Sequence, residues 1–237
     1  MRIAIIPARG GSKRIPGKNV RDFGGIPMIA WSIIRAQETG LFDHIIVSTD
    51  SAEIAKCAAE FGAEVPFMRP VELADDFTPT RQVINHAIRE SVGHFGTPSR
   101  VCCIYATAPF IEVKSLVDAL ALLESNDTNF VFSATSYQFP IQRAFRYADD
   151  GSIEMFQPEH RYTRSQDLIP AFHDAAQFYW GKTQAFLDEL PMFSGRSLPM
   201  ILPRSNVIDI DTPEDWEYAE TMWLANQARK SSNGGAA

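Results

Sequence analysis

The sequence predicts a three-layer α/β fold built on a mostly parallel, Rossmann-like sheet. Apolar runs of strand length alternate with segments of helical period, and helix-start signals precede two of those segments. A glycine-rich loop follows the first apolar run. Because ligands of such folds bind at the carboxyl ends of parallel strands, we expect the functional site beside that loop.

Four apolar runs have the composition of buried strands. They are rich in β-branched and aromatic residues and lack the polar alternation of a half-exposed strand. The runs span residues 2–7, 44–48, 101–105 and 130–134. A sheet covered on both faces is the arrangement that this composition favours.

Segments between and beside these runs are predicted to be helices, because their apolar residues recur at three- and four-residue spacing, as at Leu116 and Leu120. They span residues 28–39, 51–61, 80–92 and 113–125. Ser51 is a predicted N-cap. Thr78 is a second one, followed by Pro79 in the first turn.

The alternation breaks between about residues 138 and 174, where a hairpin pattern is followed by a polar, irregular run. We interpret this segment as an arm inserted into a single domain of residues 1–228. The pattern resumes with a strand at 177–180, a helix at 183–190, a strand at 207–210 and a helix from 212. Residues 229–237 are predicted to be a disordered tail.

Composition excludes several classes of protein. With 45% hydrophobic residues among 237, the chain can bury a core without disulfides. A formal net charge of −7 leaves little room for a basic face that tracks nucleic acid. Three cysteines give no disulfide framework, and the apolar run at residues 3–6 is too short for a signal peptide or a membrane span. We therefore expect a cytoplasmic protein that binds neither nucleic acid nor membrane.

The loop after the first predicted strand has the chemistry of a triphosphate site. Glycines at positions 10, 11 and 17 let backbone N–H groups approach a phosphate, and four cations neutralise its charge: Arg9, Lys13, Arg14 and Lys18. The spacing matches neither a Walker loop nor the dinucleotide-binding fingerprint. A solvated turn is the alternative, but it does not explain four cations directly after a buried strand.

A second constellation, Asp209-Ile-Asp211, lies near the far end of the chain. On an extended strand the two carboxylates point to the same face and could share an oxygen-liganded cation such as Mg²⁺. The alternative is structural, because Asp211 or Thr212 could cap the following helix, with Asp215 completing a capping box. Asp209 has no capping role to explain it and is the stronger candidate metal ligand.

The opening loop, residues 6–19, resembles the nucleotide-binding signature of the cytidylyltransferases that activate nonulosonic acids, the group that includes acylneuraminate cytidylyltransferase. The resemblance extends over residues 1–228. It implies a nucleotide-diphospho-sugar transferase-like fold with a dimerisation arm. It also implies coupling of CTP to the anomeric hydroxyl of a nine-carbon sugar acid, with release of pyrophosphate.

The resemblance also implies site residues. The nucleotide site would comprise Ala8, Arg9, Gly10, Gly11, Ser12, Lys13, Lys18, Asn19 and Arg69. Asp209 and Asp211 would hold Mg²⁺ and, with Arg9 and Lys18, would form the catalytic group.

Four further segments are similar to the branch that acts on pseudaminic acid, at residues 105–110, 138–143, 164–168 and 173–180. Sialic acid enzymes commonly have Gln-Pro-Thr-Ser-Pro where this chain has Tyr105-Ala-Thr-Ala-Pro109, although N-acetylneuraminate remains an alternative substrate. Ala176 stands where this branch is expected to carry glycine.

Candidate sugar-binding residues have donors and acceptors suited to a hydroxylated, N-acylated substrate. They are Tyr105, Gln142, Arg143, Arg164, His173, Asp174 and Gln177. In a homodimer, an arginine of the arm (Arg143, Arg161 or Arg164) could reach the partner's substrate carboxylate. The alternatives are surface arginines and, for His173 and Asp174, a polar loop entering a strand.

Two other classes of protein could use the same residues. A glycosyltransferase could use Asp209-Ile-Asp211 as its metal-binding motif, and a nucleotide sensor could keep the opening loop without turnover. Retention of both the cationic loop and the paired carboxylates favours the enzyme that releases pyrophosphate.

Overall fold

The computed structural model describes residues 1–234, with side chains through residue 229. The strands, numbered in chain order, are β1 (Arg2–Pro7), β2 (Asp22–Phe23), β3 (Ile26–Pro27), β4 (His44–Ser48), β5 (Arg100–Ile104), β6 (Phe130–Ser136), β7 (Phe145–Tyr147), β8 (Ile153–Met155), β9 (Phe172–Lys182) and β10 (Ser197–Ile201). The helices are α1 (Met28–Thr39), α2 (Ala52–Glu60), α3 (Thr80–Phe95), α4 (Val113–Ser125), α5 (Thr183–Leu187) and α6 (Pro213–Gly234).

Six of these strands form the central sheet, in the order β10-β6-β9-β5-β1-β4. Strand β1 pairs in parallel with both β4 and β5, and β10 pairs in parallel with β6. Strand β9 runs antiparallel to both of its neighbours, β5 and β6. The prediction of a mostly parallel sheet is confirmed, with β9 as the exception.

Side chains of β1 show how the layers are built, because successive residues of a strand point to opposite faces. Ala4 and Ile6 pack in one cluster with residues of α1 and α4. Ile3 and Ile5 pack in a second cluster with residues of α3 and α5. Both faces of the sheet are therefore covered by helices, which confirms the predicted three-layer architecture.

A third apolar cluster attaches α6 to the opening loop. Ile15 of the loop and Ile210 pack with Trp216 and Trp223 of α6, around the buried ring of Phe23. Ring centroids of Phe23 and Trp216 are 5.4 Å apart in an edge-to-face pair, an arrangement that favours close aromatic packing. This cluster brings the last helix, and the residues just before it, against the predicted phosphate loop.

Two predicted features near helix starts have different outcomes. Ser51 is the N-cap of α2, and its hydroxyl accepts a hydrogen bond from Ile54 N at 3.4 Å. The prediction for Thr78 is wrong, because Pro79 occupies the N-cap position of α3 and makes no side-chain capping bond. The Thr78 hydroxyl instead donates to the Asp75 carboxylate at 2.7 Å.

The strand predicted at 207–210 is absent from the described residues, and the edge strand β10 takes its place in the sheet. Three of the four residues 207–210 are apolar and β-branched, but Ile210 packs against a helix, α6, rather than pairing with a strand. The sequence does not indicate β10 because this strand contains Pro199. A proline argues against a strand unless the strand lies at the edge of the sheet, as β10 does. The helix predicted at 183–190 ends at Leu187.

The segment between β6 and β9 contains the short β7–β8 hairpin and three single-turn 3₁₀ helices, at Ile141–Arg143, Pro158–His160 and Ser165–Asp167. Gly151 closes the hairpin with a φ of 80°, a conformation that favours glycine. Near the C-terminus, α6 includes residues 229–234 of the predicted tail. Residues 235–237 lie outside the described residues.

Candidate active site

The opening loop leaves the carboxyl end of β1 and is fixed against the start of α2. Gly10 N donates to the Asp50 carboxylate at 2.9 Å. A Cβ atom at Gly10 would lie 3.0 Å from Ser51 Cβ, so a larger residue would push the loop away from that helix. Glycine at this position therefore permits the close approach.

A cavity of 640 Å³ opens beside this loop, at the carboxyl end of the parallel strands. Its walls bring together the first and last parts of the chain. The lining residues are Pro7, Arg9, Ser12, Lys13, Arg14, Lys18, Asn19, Asp76, Tyr105, Ala106, Thr107, Ala176, Asp209 and Asp211.

Two of the loop cations share one carboxylate. Arg9 Nη1 lies 2.6 Å from Asp76 Oδ1, and Lys13 Nζ lies 2.5 Å from Asp76 Oδ2. Arg9 also donates to the Asp75 carbonyl oxygen at 2.7 Å. Hydrogen bonds from Lys13 and then Arg9 lower the pKa of Asp76, so its carboxyl is ionised.

The other two loop cations contact the Asp-Ile-Asp segment. Arg14 Nη2 lies 2.8 Å from Asp211 Oδ2, and Lys18 Nζ lies 3.4 Å from Asp211 Oδ1. Lys18 also donates to the Ile210 carbonyl oxygen at 2.6 Å. All four loop cations thus approach either Asp76 or Asp211, on two sides of the same cavity.

Asn19 and Arg69, the remaining candidates for nucleotide contacts, are both buried. Asn19 Nδ2 donates to the Arg9 carbonyl oxygen at 2.9 Å and so fixes the loop backbone. Arg69 Nε donates to Ser48 Oγ at 3.2 Å, and Nη2 donates to the Ser48 carbonyl oxygen. Burial lowers the pKa of Arg69 to about 10, which leaves the guanidinium charged at neutral pH.

Asp209 and Asp211 form an acidic wall of the cavity. Burial, followed by the negative charge of Asp211, raises the pKa of Asp209, while the charge of Lys18 opposes this shift. Within the described residues, no group of three or more His, Cys, Asp or Glu side chains is placed to hold a metal ion. The donor set nevertheless fits a hard cation, since two oxygen donors line the cavity and a divalent ion would relieve their mutual repulsion.

The predicted capping box at the start of α6 is present, and its anchor is Asp215. The Asp215 carboxylate accepts hydrogen bonds from Thr212 N at 2.7 Å and from Asp211 N at 3.1 Å, and Thr212 Oγ1 accepts from Asp215 N at 3.2 Å. The Asp211 side chain contacts the loop cations and takes no part in this box. The box therefore leaves the Asp211 carboxylate to face the cavity.

Tyr105 lies between the main cavity and a smaller one of 220 Å³. The smaller cavity has polar groups from Thr80, Asp174 and Tyr179 and an apolar side formed by Met192 and Phe193. Tyr179 donates its hydroxyl hydrogen to Asp174 Oδ2 at 2.5 Å. Burial raises the pKa of both tyrosines, so they remain protonated.

Ala176 lines the main cavity in an unusual backbone conformation, with a φ of 49°. The pairing register of β6 and β9 shifts at this point, and the Ser133 hydroxyl accepts from Gln177 N and Phe178 N at 3.1 Å. Ala176 N donates to Asp174 Oδ1 at 3.0 Å. The irregularity in β9 therefore fixes the Asp174 carboxylate, and the positive φ gives a physical reason for expecting glycine here.

Several predicted sugar-binding residues are directed elsewhere. Gln142 Nε2 donates to the Ile169 carbonyl oxygen at 2.8 Å, and Gln177 Nε2 donates to the Asn206 carbonyl oxygen. Arg143 Nη2 donates to the Thr163 carbonyl oxygen at 2.5 Å, and Arg164 pairs with Asp167 at 2.7 Å. His173 lines a separate cavity of 380 Å³. These five residues lie outside the lining of the main cavity, whereas Tyr105 is part of it.

Among the lining residues that the sequence interpretation missed, Asp76 and Tyr179 make the most specific contacts. Asp76 pairs with loop cations more than 60 positions away, and no local pattern signals that contact. Tyr179 was recognised only as part of a buried strand, because the β9 irregularity that directs it to Asp174 is not visible in its composition.

Comparisons with known proteins agree on one family. The cytidylyltransferase family profile matches residues 3–233. A pseudaminic acid cytidylyltransferase of Campylobacter jejuni is 42% identical over 224 residues, which cover 94% of this chain and 97% of that protein. A CMP-N,N'-diacetyllegionaminic acid synthase of Legionella pneumophila is 31% identical over 233 residues, covering 95% and 97%.

A solved structure supports the fold. It is a CMP:2-keto-3-deoxy-manno-octonic acid synthetase complexed with CTP, with a TM-score of 0.67 and 16% sequence identity, covering 95% of this chain and 99% of that chain. At this identity the likeness concerns the fold alone. The predicted nucleotidyltransferase-like architecture is thereby confirmed.

Proposed function

Since this chain belongs to the cytidylyltransferase family and is a CTP-dependent nucleotidyltransferase, we propose that it couples CTP to the anomeric hydroxyl of pseudaminic acid. The products are the CMP-sugar and pyrophosphate. One observation carries the proposal: a single cavity contains the four loop cations and both carboxylates of Asp209-Ile-Asp211. The 42% identity to the Campylobacter enzyme supports pseudaminic acid as the sugar.

The reaction needs alignment and charge stabilisation more than covalent help from the protein. The anomeric oxygen forms a bond to the α-phosphorus, and the bond from that phosphorus to the oxygen bridging the α- and β-phosphates breaks. Arg9, Lys13 and Lys18 would bind the phosphate oxygens on which charge accumulates, with Ser12 and the backbone N–H group of Gly11 beside them, whereas the N–H of Gly10 is bonded to Asp50. Electrostatic stabilisation of this kind is usually the largest catalytic contribution.

Other residues of the loop and its neighbours would orient the nucleotide. Ala8 and Asn19 hold the loop against β4 and α1 through backbone bonds to Ser48 and Ile29. Arg69, held rigidly by Ser48, would contact the cytosine or its ribose. A fixed guanidinium loses little freedom on binding, which favours a specific contact.

Asp209 and Asp211 would hold Mg²⁺. When bound, this ion would neutralise phosphate charge and favour ionisation of the attacking hydroxyl. Asp209 supports this assignment, because burial and the charge of Asp211 already disfavour its unpaired ionised form. Asp211 would have to exchange at least part of its contact with Arg14 and Lys18 for the metal.

The sugar would occupy the space around Tyr105, with Asp174 and Tyr179 in the smaller cavity beyond it. Tyr105 and Tyr179 keep their hydroxyl hydrogens at neutral pH, so Tyr105 can act as donor or acceptor toward substrate hydroxyls. Gln142, Arg143, Arg164, His173 and Gln177 remain predicted sugar contacts. They would need rearrangement or a partner subunit to reach the main cavity.

The segment between β6 and β9 would form the interface of a homodimer. It exposes several large apolar side chains that a monomer would leave in water: Phe139, Tyr147, Ile153, Phe156, Tyr162 and Ile169. Apolar exposure concentrated in one segment marks an interaction surface rather than ordinary surface composition. A second copy is the occupant that the predicted arm requires.

A cytoplasmic location is part of the same proposal. Cys57, Cys102 and Cys103 are free thiols, as expected in a reducing compartment. No helix within the described residues has the length and apolar character needed to cross a bilayer.

Pyrophosphate release from CTP tests the reaction. With Mg²⁺ present, release is expected only when a sugar acid is added, and it should be fastest with pseudaminic acid. Consumption of a sugar nucleotide without pyrophosphate would indicate a glycosyltransferase, and CTP binding without turnover for any sugar acid would indicate a sensor. Either result would overturn the proposed function.

A further inference from the structure

Asp76 contacts two of the cations to which the proposed function assigns phosphate binding. Its two carboxylate oxygens contact Arg9 and Lys13 at 2.6 and 2.5 Å. A phosphate oxygen bound to either cation would lie beside this carboxylate, and the two negative charges would repel each other. The Asp76 contact and a fully engaged triphosphate therefore oppose each other.

The segment that carries Asp76 is a self-contained turn. The Asp75 carboxylate accepts hydrogen bonds from Phe77 N at 3.0 Å and from Thr78 N at 2.6 Å. The hydroxyl of Thr78 shares its hydrogen between Asp75 Oδ1, at 2.7 Å, and the Glu72 carbonyl oxygen, at 3.2 Å. Because these bonds lie within residues 72–78, the turn can keep its shape when its contacts with the opening loop change.

The residues on either side of this turn are bonded to other parts of the candidate active site. On one side Arg69 N donates to the Thr49 carbonyl oxygen at 2.7 Å. On the other side Thr80 Oγ1 and Tyr105 Oη are 3.1 Å apart. The turn is thus held between a predicted nucleotide residue and a predicted sugar residue, and Asp76 contacts the opening loop between them.

We propose that Asp76 is a further residue of the phosphate site, an internal anion that takes Arg9 and Lys13 back from the departing pyrophosphate. Being part of the chain, it is present at a high effective concentration and competes with every bound phosphate. It lowers the affinity for pyrophosphate and so limits product inhibition. This proposal rests on the proposed function, because pyrophosphate is the product that Asp76 displaces.

The test is calorimetric titration with inorganic pyrophosphate and Mg²⁺ in low salt, without sugar or CTP. Asp76→Asn keeps the size of the side chain and removes its charge. Exposed ion pairs are individually weak, so we expect binding to become about fivefold tighter. Glu72→Gln is the matched control, because it removes the same charge from the same turn at an exposed position, and it should change binding by less than about twofold.

A double-mutant cycle separates the proposed contact from a general effect of charge. In a Lys13→Met background, Asp76→Asn should tighten pyrophosphate binding less than in the wild-type background, because one of the two displaced pairs is already lost. Unchanged or weaker binding in Asp76→Asn, or an equal gain in Glu72→Gln, would overturn the proposal. Weaker binding would mean that Asp76 pre-orients the cations instead of competing for them.

This titration stands apart from the proposed reaction. It involves no turnover, so failure to form a CMP-sugar would refute the proposed function and leave the role of Asp76 to be decided by pyrophosphate binding. Normal turnover with unchanged pyrophosphate binding would refute the role of Asp76 alone. Circular dichroism of each variant verifies that the fold is retained.

Discussion

Lys18 Nζ donates a hydrogen bond of 2.6 Å to the carbonyl oxygen of Ile210, joining two parts of the chain that are 192 residues apart. The Lys18 side chain is largely buried, and Asp211 lies 3.4 Å from its ammonium group. The predicted phosphate loop and the predicted metal segment are therefore one structural unit. A change at either end is expected to disturb both.

Lys18→Met tests the phosphate role of this unit. Removal of a preorganised charge that stabilises the transition state is expected to lower kcat/KM for CTP by about 10²-fold. Lys56→Met is the control, since Lys56 is an exposed lysine of α2 that lies 3.9 Å from Glu60 and outside both cavities. An effect of Lys18→Met within about twofold of the control would contradict the phosphate role.

Asp209→Asn tests the metal role. The variant should lose at least about 10²-fold in Mg²⁺-dependent turnover, because a neutral amide is a poor ligand for a hard cation. CTP binding should weaken much less, since the loop cations remain. Asp118→Asn, on the exposed side of α4, is the control and should turn over normally. Undiminished turnover in Asp209→Asn would remove this residue from the metal site.

Asp215→Ala tests the capping box and predicts a pH dependence. Hydrogen bonds from Thr212 lower the pKa of Asp215 below its ordinary value of 3.8, so the folded protein favours the ionised form. The resulting stability is present above pH 3.8 and is lost as pH falls through the lowered pKa. Removal of the cap is expected to cost about 1 kcal/mol at pH 7.

Urea unfolding across a pH series measures this cost. The difference between wild type and Asp215→Ala should narrow as the solution becomes more acidic than pH 3.8. Glu214→Ala removes a neighbouring first-turn carboxylate that is not part of the box and should have a smaller effect. A constant difference at all pH values would show that the ionised carboxylate is not the source of the stability.

Ala176→Gly is expected to stabilise the protein. A left-handed conformation costs alanine about 1–2 kcal/mol, and the greater freedom of glycine in the unfolded chain offsets part of that gain. The net increase in the free energy of unfolding should be about 0.5–1 kcal/mol. Ala175→Gly, at a buried neighbour without a positive φ, should destabilise instead. Equal destabilisation by both changes would refute backbone strain at Ala176.

Phe156→Asp tests the proposed dimer. Phe156 is 64% exposed, and a carboxylate at an apolar interface should raise the dimer dissociation constant at least about tenfold. Leu224→Asp is the control, because Leu224 is 69% exposed on α6, outside the proposed arm. Analytical ultracentrifugation should find wild type and Leu224→Asp dimeric and Phe156→Asp shifted toward monomer. Monomeric wild type would contradict the proposed arm contact.

Local sequence patterns predicted the strands and helices whose apolar residues repeat regularly, such as β1 and α4, because burial on defined faces imposes the repeat. They failed where a tertiary partner determined the structure. Residues 207–210 have a strand pattern but pack against α6, and β10 contains a proline that conceals it.

In the candidate active site, too, local patterns predict some residues, while tertiary contacts determine others. The cationic loop and the two aspartates are recognisable from residue type and spacing. The contacts of Asp76 with Arg9 and Lys13 depend on how the turn before α3 folds over the loop, and no short-range pattern encodes that arrangement. The position of Tyr179 depends in the same way on the irregular pairing of β6 and β9.

The most direct test of the account compares sugar acids as partners for CTP, with the CMP-sugar product identified by mass spectrometry. We predict that kcat/KM for pseudaminic acid exceeds that for N-acetylneuraminic acid and for 3-deoxy-manno-octulosonic acid by about 10²-fold or more. A preference for either of the other sugars would keep the reaction and overturn the substrate. Failure to form a CMP-sugar from any of the three would contradict the proposed function.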